Sequence, residues 1–293
     1  MDSLKDIRTR IGSVNSTRQI TNAMKMVSAA KLRKAQKAII QLRPYADKLY
    51  SILGSLSSLK NNSEQNEFIR KPEDGKVLII CIASNKGLCG AFNANVIRKT
   101  QELINSKYSD DFAKGNVYFS VIGKKLEPAV ASKGWKLLSS NNDIYDKLEF
   151  DNVVPMAEKY MNLFFSKEFD KIELIYNKFK NTAVQEIYHE QFLPVNIDEQ
   201  QNESDQVPDM IIEPDINYLT NKIVPLSLKI QLYKTILDSV ASEHGARMTA
   251  MHIATDNATS IINELKLQYN KARQATITSE ILEIVGGAEA LKS

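Results

Sequence analysis

The feature that most constrains this chain is a helical apolar pattern at each end, with a different pattern between them. Apolar residues recur at steps of three or four residues over 4–42 and again over 226–265. Because each run is far longer than an ordinary globular helix, the two patterns predict helices that wind around each other as a coiled coil. A compact domain is expected between them, and this organisation favours a scaffolding or mechanical protein over an enzyme.

The apolar line of the first helix changes position after Val14. Ile20, Met24 and Val27 continue it on a shifted line, whereas positions 18, 21 and 25 are polar. A shift of this kind predicts one of two arrangements. Either the seam with the partner helix drifts around the first helix, or the stretch 18–28 faces another molecule.

Positive charge is concentrated in the first helix. Residues 1–50 contain eleven Lys or Arg and three acids, a balance of +8, although the whole chain carries only +3. A basic helix of this length is typical of a segment that binds an acidic partner, a phosphate backbone or an anionic surface. A solvated helix face is the alternative, and the extent of the bias favours a partner.

The middle of the chain predicts an open, mostly parallel α/β sheet. A continuous apolar run at 77–82 is typical of a buried parallel strand, and further strand patterns follow at 117–122, 135–138, 172–179 and 184–193, separated by helical segments. The expected divisions are an N-terminal coiled-coil helix (1–59), a linker (60–75), an α/β domain (76–195), an exposed loop (196–214) and a C-terminal coiled-coil helix (215–293).

The two cysteines show no spacing typical of a metal site. Cys81 lies in the first strand pattern and is expected in the core, whereas Cys89 lies in a Gly-containing loop, which allows a reactive thiol as the alternative; reduced thiols are favoured at both positions. No secretory signal and no apolar run of bilayer length are evident, so we expect membrane association only through other proteins.

Two rival functions each require residues that the sequence lacks. A nucleotide-dependent enzyme needs a phosphate-binding loop, but the loop at 84–93 contains only Gly87 and Gly90 and matches neither established glycine pattern. A nucleic-acid adaptor needs base contacts along the basic helix, and residues 1–44 contain no aromatic side chain. Binding of ATP or duplex DNA to the chain would discriminate both from a structural subunit.

Polar residues interrupt the apolar line of the second helix, and its end is slim. His244 there is interpreted as a residue that sets the register of the coiled coil, and Arg247 as one that meets an acidic partner. Residues 269–291 are rich in Ala, Thr and Gly, which fits either a helix inside a narrow sleeve or an ordinary frayed helix end.

Four segments together resemble the gamma subunits of F-type ATP synthases. They are IRTRIGSVNSTRQITNAMKMVSAAKLRKAQ near the start, SNKGLCGAFN after the first strand, SEHGARMTAMHIATDNA in the second helix, and ITSEILEIVGGA near the end. They are long and occur in the family's order. The resemblance implies a long antiparallel two-helix coiled coil formed by the N- and C-terminal helices, with a central Rossmann-like α/β domain.

The resemblance also implies a function without chemistry of its own. Gamma subunits are rotary shafts that couple ion flow through a ring of c subunits to ATP synthesis or hydrolysis in a ring of α and β subunits. The implied partners are therefore α, β, epsilon and the c ring, with no cofactor and no nucleic acid. The implied location is the cytoplasmic face of a bacterial inner membrane, or the matrix side in a mitochondrion.

Specific residues are carried over from the same resemblance. A β-facing surface is implied for Met24, Lys25, Arg247, Arg273, Gln274, Thr278 and Glu280. A foot contact with the c ring is implied for Met210, Ile212 and Glu213, although relatives often carry aromatic residues just before the equivalent of Glu213.

Overall fold

The computed structural model describes residues 3–58, 68, 75–182, 184–195 and 216–290. The helices are α1 (Leu4–Ser58), α2 (Phe92–Lys107), α3 (Ser109–Ala113), α4 (Glu127–Ser132), α5 (Phe150–Phe165) and α6 (Ile216–Ala290). The strands are β1 (Val77–Ile82), β2 (Val117–Ile122), β3 (Lys136–Ser140), β4 (Lys171–Phe179) and β5 (Gln185–Leu193). The predicted linker at 60–75 and loop at 196–214 fall almost wholly outside the described residues, and the predicted domain boundaries stay a prediction.

Helix α1 begins with a reciprocal cap. The Ser3 hydroxyl accepts a hydrogen bond from the Asp6 backbone N–H at 3.2 Å, and the Asp6 carboxylate accepts one from the Ser3 N–H at 3.3 Å. These bonds satisfy early N–H groups that have no partner within the helix. The helix then continues through Pro44. Helix α6 likewise continues through Gly286 and Gly287, although two adjacent glycines weaken a helix.

The chain forms two compact units, and the first combines residues 1–28 with 248–293. Within it the inward positions of α1 follow alternating steps of four and three: 7, 11, 14, 18, 21, 25 and 28. Those of α6 follow the same rule at 251, 255, 258, 262 and 265. This is the heptad spacing of a coiled coil. The Thr21 and Thr255 hydroxyls are hydrogen-bonded to each other at 2.9 Å within this seam.

The seam of α1 does not follow the shifted apolar line. Thr21 and Ser28 are buried, whereas Ile20 and Val27 are 60% and 57% exposed. Seam drift, the first arrangement allowed by the sequence, is therefore wrong: the heptad keeps its register with polar residues inside. On α6 the apolar pattern of the sequence also places Ile261 on the seam, but Ile261 is 45% exposed and its neighbour Ile262 is buried.

The second unit, residues 29–247, contains a five-stranded sheet in the order β3-β2-β1-β4-β5. Strands β1 to β4 are parallel, and β5 pairs antiparallel with β4. Apolar residues point to both faces of β1, as expected for a central parallel strand. Helices α2 and α4 cover one face, and α5 with part of α6 cover the other.

Parts of α1 and α6 also pack together inside the second unit. Ala46 and Leu49 of α1 contact Ile230 of α6, whereas the charge of Lys31, earlier in α1, acts on Glu243, later in α6. The order of these pairs makes the two helices antiparallel. The predicted fold class, an antiparallel helix pair with a Rossmann-like α/β domain, is confirmed. Among the described residues, no helix is long and apolar enough to cross a membrane.

Candidate functional site

Arg247 of α6 lies buried against the loop that follows β1. Its Nε and Nη2 atoms donate to the Gly87 carbonyl at 3.2 Å, and Nη2 also donates to the Lys86 carbonyl at 2.9 Å. Its Nη1 pairs with the Glu243 carboxylate at 2.7 Å and lies 3.3 Å from His244 Nδ1. All three nitrogens of the guanidinium are thus used within this chain.

The loop at 84–93 has its own hydrogen bonds. The Ser84 N–H and hydroxyl both donate to Asn93 Oδ1 at 3.0 Å, which ties the start of the loop to the first turn of α2. At its tip Leu88 takes the left-handed conformation, with φ of 63°, and its side chain is 63% exposed. A non-glycine residue in this region is uncommon, so other contacts must hold the loop in place.

Burial sets the protonation of the groups around this loop. Burial raises the pKa of the Cys89 thiol, and the Ser84 hydrogen bond and the Arg247 charge offset that effect only in part. Burial and the neighbouring charges of Arg247 and Lys31 lower the pKa of His244 to about 4. At neutral pH the His244 ring is therefore uncharged and Nδ1 can accept the Arg247 hydrogen bond, while the Cys89 thiol is protonated.

A second polar cluster, centred on Glu173 of β4, was not predicted from the sequence. The buried carboxylate accepts hydrogen bonds from Lys107 Nζ at 2.6 Å and from the Tyr108 hydroxyl, and lies 2.7 Å from His189 Nε2. Burial alone would raise its pKa, but the hydrogen bonds from His189, Lys107 and Tyr108 outweigh burial and lower the pKa to about 2. This cluster joins α2, β4 and β5 and has no evident role in binding.

The two predicted β-facing residues of α1 differ in position, because Lys25 is one of the inward positions of the first unit and Met24 lies beside it. Met24 and Lys25 are half-buried, and the neighbouring Met26 and Val27 are about as exposed as Ile20, at 61% and 57%. Residues 24–27 therefore present apolar side chains next to positive charge. The described residues of the first unit leave Met26 and Val27 largely exposed. Such a surface is typical of a protein-binding face.

The predicted β-facing residues near the end of α6 lie on an uncovered helix. Every residue from 273 to 288 is exposed, including Arg273, Gln274, Thr278 and Glu280. The Thr278 hydroxyl donates to the Gln274 carbonyl of its own helix at 2.8 Å. Five large apolar side chains share this segment: Ile277, Ile281, Leu282, Ile284 and Val285. The predicted foot residues Met210, Ile212 and Glu213 lie outside the described residues.

Comparison with known proteins decides the family. The sequence model of the ATP synthase family matches residues 3–291. The ATP synthase gamma chain of Flavobacterium johnsoniae is 53% identical over 291 residues, covering 99% of both chains. That of Christiangramia forsetii is 50% identical over 291 residues, again covering 99% of both.

The chain belongs to the ATP synthase gamma-chain family.

Solved structures agree with the fold of this family. A chain of the Euglena gracilis mitochondrial ATP synthase superposes with a TM-score of 0.67 at 20% identity, covering 98% of this chain and 94% of that one. A chain from the central stalk and c ring of the Tetrahymena thermophila enzyme superposes with a TM-score of 0.58 at 24% identity, covering 80% and 99%. The match to the family model and to full-length gamma chains confirms the predictions of a gamma subunit and of a non-catalytic role.

Within the described residues, no group of three or more His, Cys, Asp or Glu side chains is placed to hold a metal ion. The loop after β1 also differs from a phosphate-binding loop in its polarity. It turns two carbonyl oxygens toward the buried guanidinium of Arg247, whereas a phosphate needs N–H donors. The carbonyl groups of this loop therefore bind the guanidinium of Arg247 from the same chain.

Proposed function

We propose that the chain is the rotary shaft of its complex, with the first unit held inside the ring of α and β subunits. In this arrangement α6 residues 273–288 and α1 residues 24–27 meet successive β subunits as the shaft turns. Each orientation binds one β conformation better than the others. That differential contact is the coupling free energy between rotation and the catalytic sites.

The uncovered end of α6 is the observation that carries this proposal. Ala272 is the last half-buried residue of α6, yet the helix continues to Ala290 with every residue from 273 to 288 exposed. Five large apolar side chains on this stretch would expose a continuous apolar surface in water, which proteins rarely maintain without a partner. A helix end enclosed by a ring of subunits buries that surface.

The positive charge of α1 supports a contact with an acidic surface of β. The +8 balance of residues 1–50 lies on a helix whose exposed face includes Arg8 and Arg10, with Lys25 half-buried at its edge. An acidic segment of β passing this face would be attracted over several ångströms, since such charges act through a Debye length of ~8 Å at physiological salt. Arg247 would act on the same surface indirectly, through the loop that it holds.

The remaining partners are assigned to the second unit and to the foot. The α/β sheet would contact epsilon, and Met210, Ile212 and Glu213 would contact the c ring. The membrane is then reached only through these subunits, on the cytoplasmic side in a bacterium or the matrix side in a mitochondrion. No cofactor and no nucleic acid take part.

The proposal is tested by replacing Arg273, Gln274 and Glu280 together with Ala. Ala is the better helix former, so the melting of the isolated chain should change little. In the complex the variant loses charge-assisted hydrogen bonds worth ~1.5–3 kcal/mol each, so assembly with α and β or the steady-state ATPase should fall.

A matched control removes the same three residue types from another exposed helix face. Arg98, Gln101 and Glu102 of α2 lie at the surface of the second unit, and their triple Ala variant should assemble and hydrolyse ATP normally. Normal assembly and normal ATPase in the α6 variant would show that this helix end is frayed and unbound.

A further inference from the structure

The crevice of the sheet where an open α/β fold usually takes a ligand is occupied by helix α6. The strand order reverses between β1 and β4, and ligands of such folds bind outside the carboxyl ends of the strands at that point. Here Ala246 packs against Cys89 and Phe92 of the loop after β1. A Cβ placed on Gly245 would lie 3.5 Å from the ring of Phe179 at the end of β4.

The contact is polar as well as apolar, and Arg247 supplies the polar part. Its side chain is only 8% exposed and its charge is balanced by Glu243, which is 9% exposed. The two loop carbonyls accept from the same guanidinium. Removing the guanidinium would leave Glu243 buried without its cation and the loop without its link to α6.

We propose that Arg247 is a positioning residue that locks the loop at 84–90 onto α6, so that sheet and helix move as one body. The planar guanidinium reaches the Lys86 and Gly87 carbonyls and the Glu243 carboxylate at once. A lysine ammonium, a single point charge, cannot reproduce that set. The lock also holds exposed Leu88 in its left-handed conformation at the loop tip.

The lock matters for coupling if the chain turns under load, a consequence that rests on the proposed function. Torsion carried by α6 reaches the sheet through directional bonds at residue 247. Without them the loop can open and part of each rotation is absorbed by that opening. We therefore expect loss of the lock to lower the number of ions moved per ATP hydrolysed.

The chain contains a reporter for loop opening. Cys89, a residue of the loop itself, is 1% exposed, and Cys81 is 2% exposed inside β1. Opening of the loop exposes Cys89 alone, whereas unfolding of the sheet exposes both. Maleimide labelling of the full chain, quantified separately for each cysteine by mass spectrometry, distinguishes the two events.

The experiment compares Arg247→Gln, Arg247→Lys and the matched control Arg98→Gln with the unaltered chain. Loss of hydrogen bonds to a charged group should raise Cys89 labelling ~10-fold or more in Arg247→Gln, with an intermediate rise in Arg247→Lys. Cys81 labelling should stay constant, and Arg98→Gln should match the unaltered chain. Unchanged Cys89 labelling, or a parallel rise of Cys81, would overturn the lock.

The same variants are then tested in the assembled complex in membrane vesicles, by the ratio of ATP-driven ion pumping to hydrolysis. The ratio should fall in Arg247→Gln and fall less in Arg247→Lys. A normal ratio of pumping to hydrolysis in a variant whose Cys89 labelling is raised would overturn the coupling role of the lock. Failure of the proposed function would look different, because the unaltered chain itself would not assemble with α and β.

Discussion

Replacement of Glu173 by Gln should weaken the α/β unit in a pH-dependent manner. The carboxylate is fully buried and accepts hydrogen bonds from Lys107 and the Tyr108 hydroxyl, with His189 on its other oxygen. Gln keeps the shape and one acceptor but loses the charge, and it directs an amide N–H₂ toward groups that are themselves donors. The buried Tyr108 hydroxyl then competes for the remaining oxygen.

The magnitude follows from the pKa of Glu173, which is lowered from 4.5 to about 2 in the folded chain. A depressed carboxyl pKa stabilises the folded state above the unfolded pKa, and the stabilisation is lost as the pH falls toward the folded pKa. The difference corresponds to roughly 3 kcal/mol at neutral pH, of which about half is lost by pH ~3. Glu173→Gln should therefore be ~3 kcal/mol less stable than the unaltered chain at pH 7.

Trp135 provides the assay. It is the single tryptophan of the chain and stacks on Phe119 inside the α/β unit, with ring centroids 4.6 Å apart. Urea unfolding of the full chain, followed by its fluorescence from pH 7 to pH 3.5, reports the stability of that unit. The difference in unfolding free energy between the unaltered chain and the variant should stay constant from pH 7 to about pH 5 and narrow below it, as the pH passes the unfolded pKa of 4.5.

A surface carboxylate serves as the control. Glu158 pairs with Lys229 at 2.6 Å but is half exposed, so Glu158→Gln should cost no more than ~1 kcal/mol. A Glu173→Gln effect of that same small size, or one that does not change with pH, would refute the reasoning about the buried carboxylate.

Three further predictions concern the other surfaces. Met24→Lys should lower ion pumping per ATP hydrolysed while hydrolysis continues, because an added charge pairs with an acidic β segment and retards departure from one orientation; an unchanged ratio in membrane vesicles would exclude this. Leu88→Gly should stabilise the chain by up to ~1 kcal/mol in urea, because glycine adopts the left-handed conformation without strain; a lower midpoint would contradict the assigned conformation. Thr21→Val should cost ~1 kcal/mol in urea unfolding followed by circular dichroism, and adding Thr255→Val should cost little more, because the bond across the seam is already lost and each hydroxyl also bonds a carbonyl of its own helix; simple additivity would show that the bond across the seam is absent.

The elements of the fold were predictable because their signals are local. The strand at Val77–Ile82 is a continuous apolar run, and the helix bounds follow periodicity and caps. The seam at residues 18–28 was not predictable from apolar periodicity. Polar Thr21 and Ser28 are buried in this seam, whereas apolar Ile20 and Val27 are exposed. Apolar periodicity fails where a heptad uses hydroxyl groups that bond across the seam.

The polar clusters of the α/β unit could not be predicted for a different reason. Arg247 meets carbonyls that are 160 and 161 residues away in sequence, and Glu173 meets Lys107 across 66 residues. Nothing in the local pattern of either residue identifies such a partner. The resemblance implied a β-facing role for Arg247, which stays a prediction, and its partners inside the chain became visible only in the folded structure.

Direct observation of rotation tests the central claim. Ser132 is exposed on α4 and both native cysteines are buried, so Ser132→Cys allows a bead to be attached selectively to the chain in a complex fixed to a surface through its α and β subunits. On addition of ATP the bead should turn continuously in one direction, at a rate set by hydrolysis. Sustained ATP hydrolysis with a stationary bead would contradict the assignment of this chain as the rotating shaft.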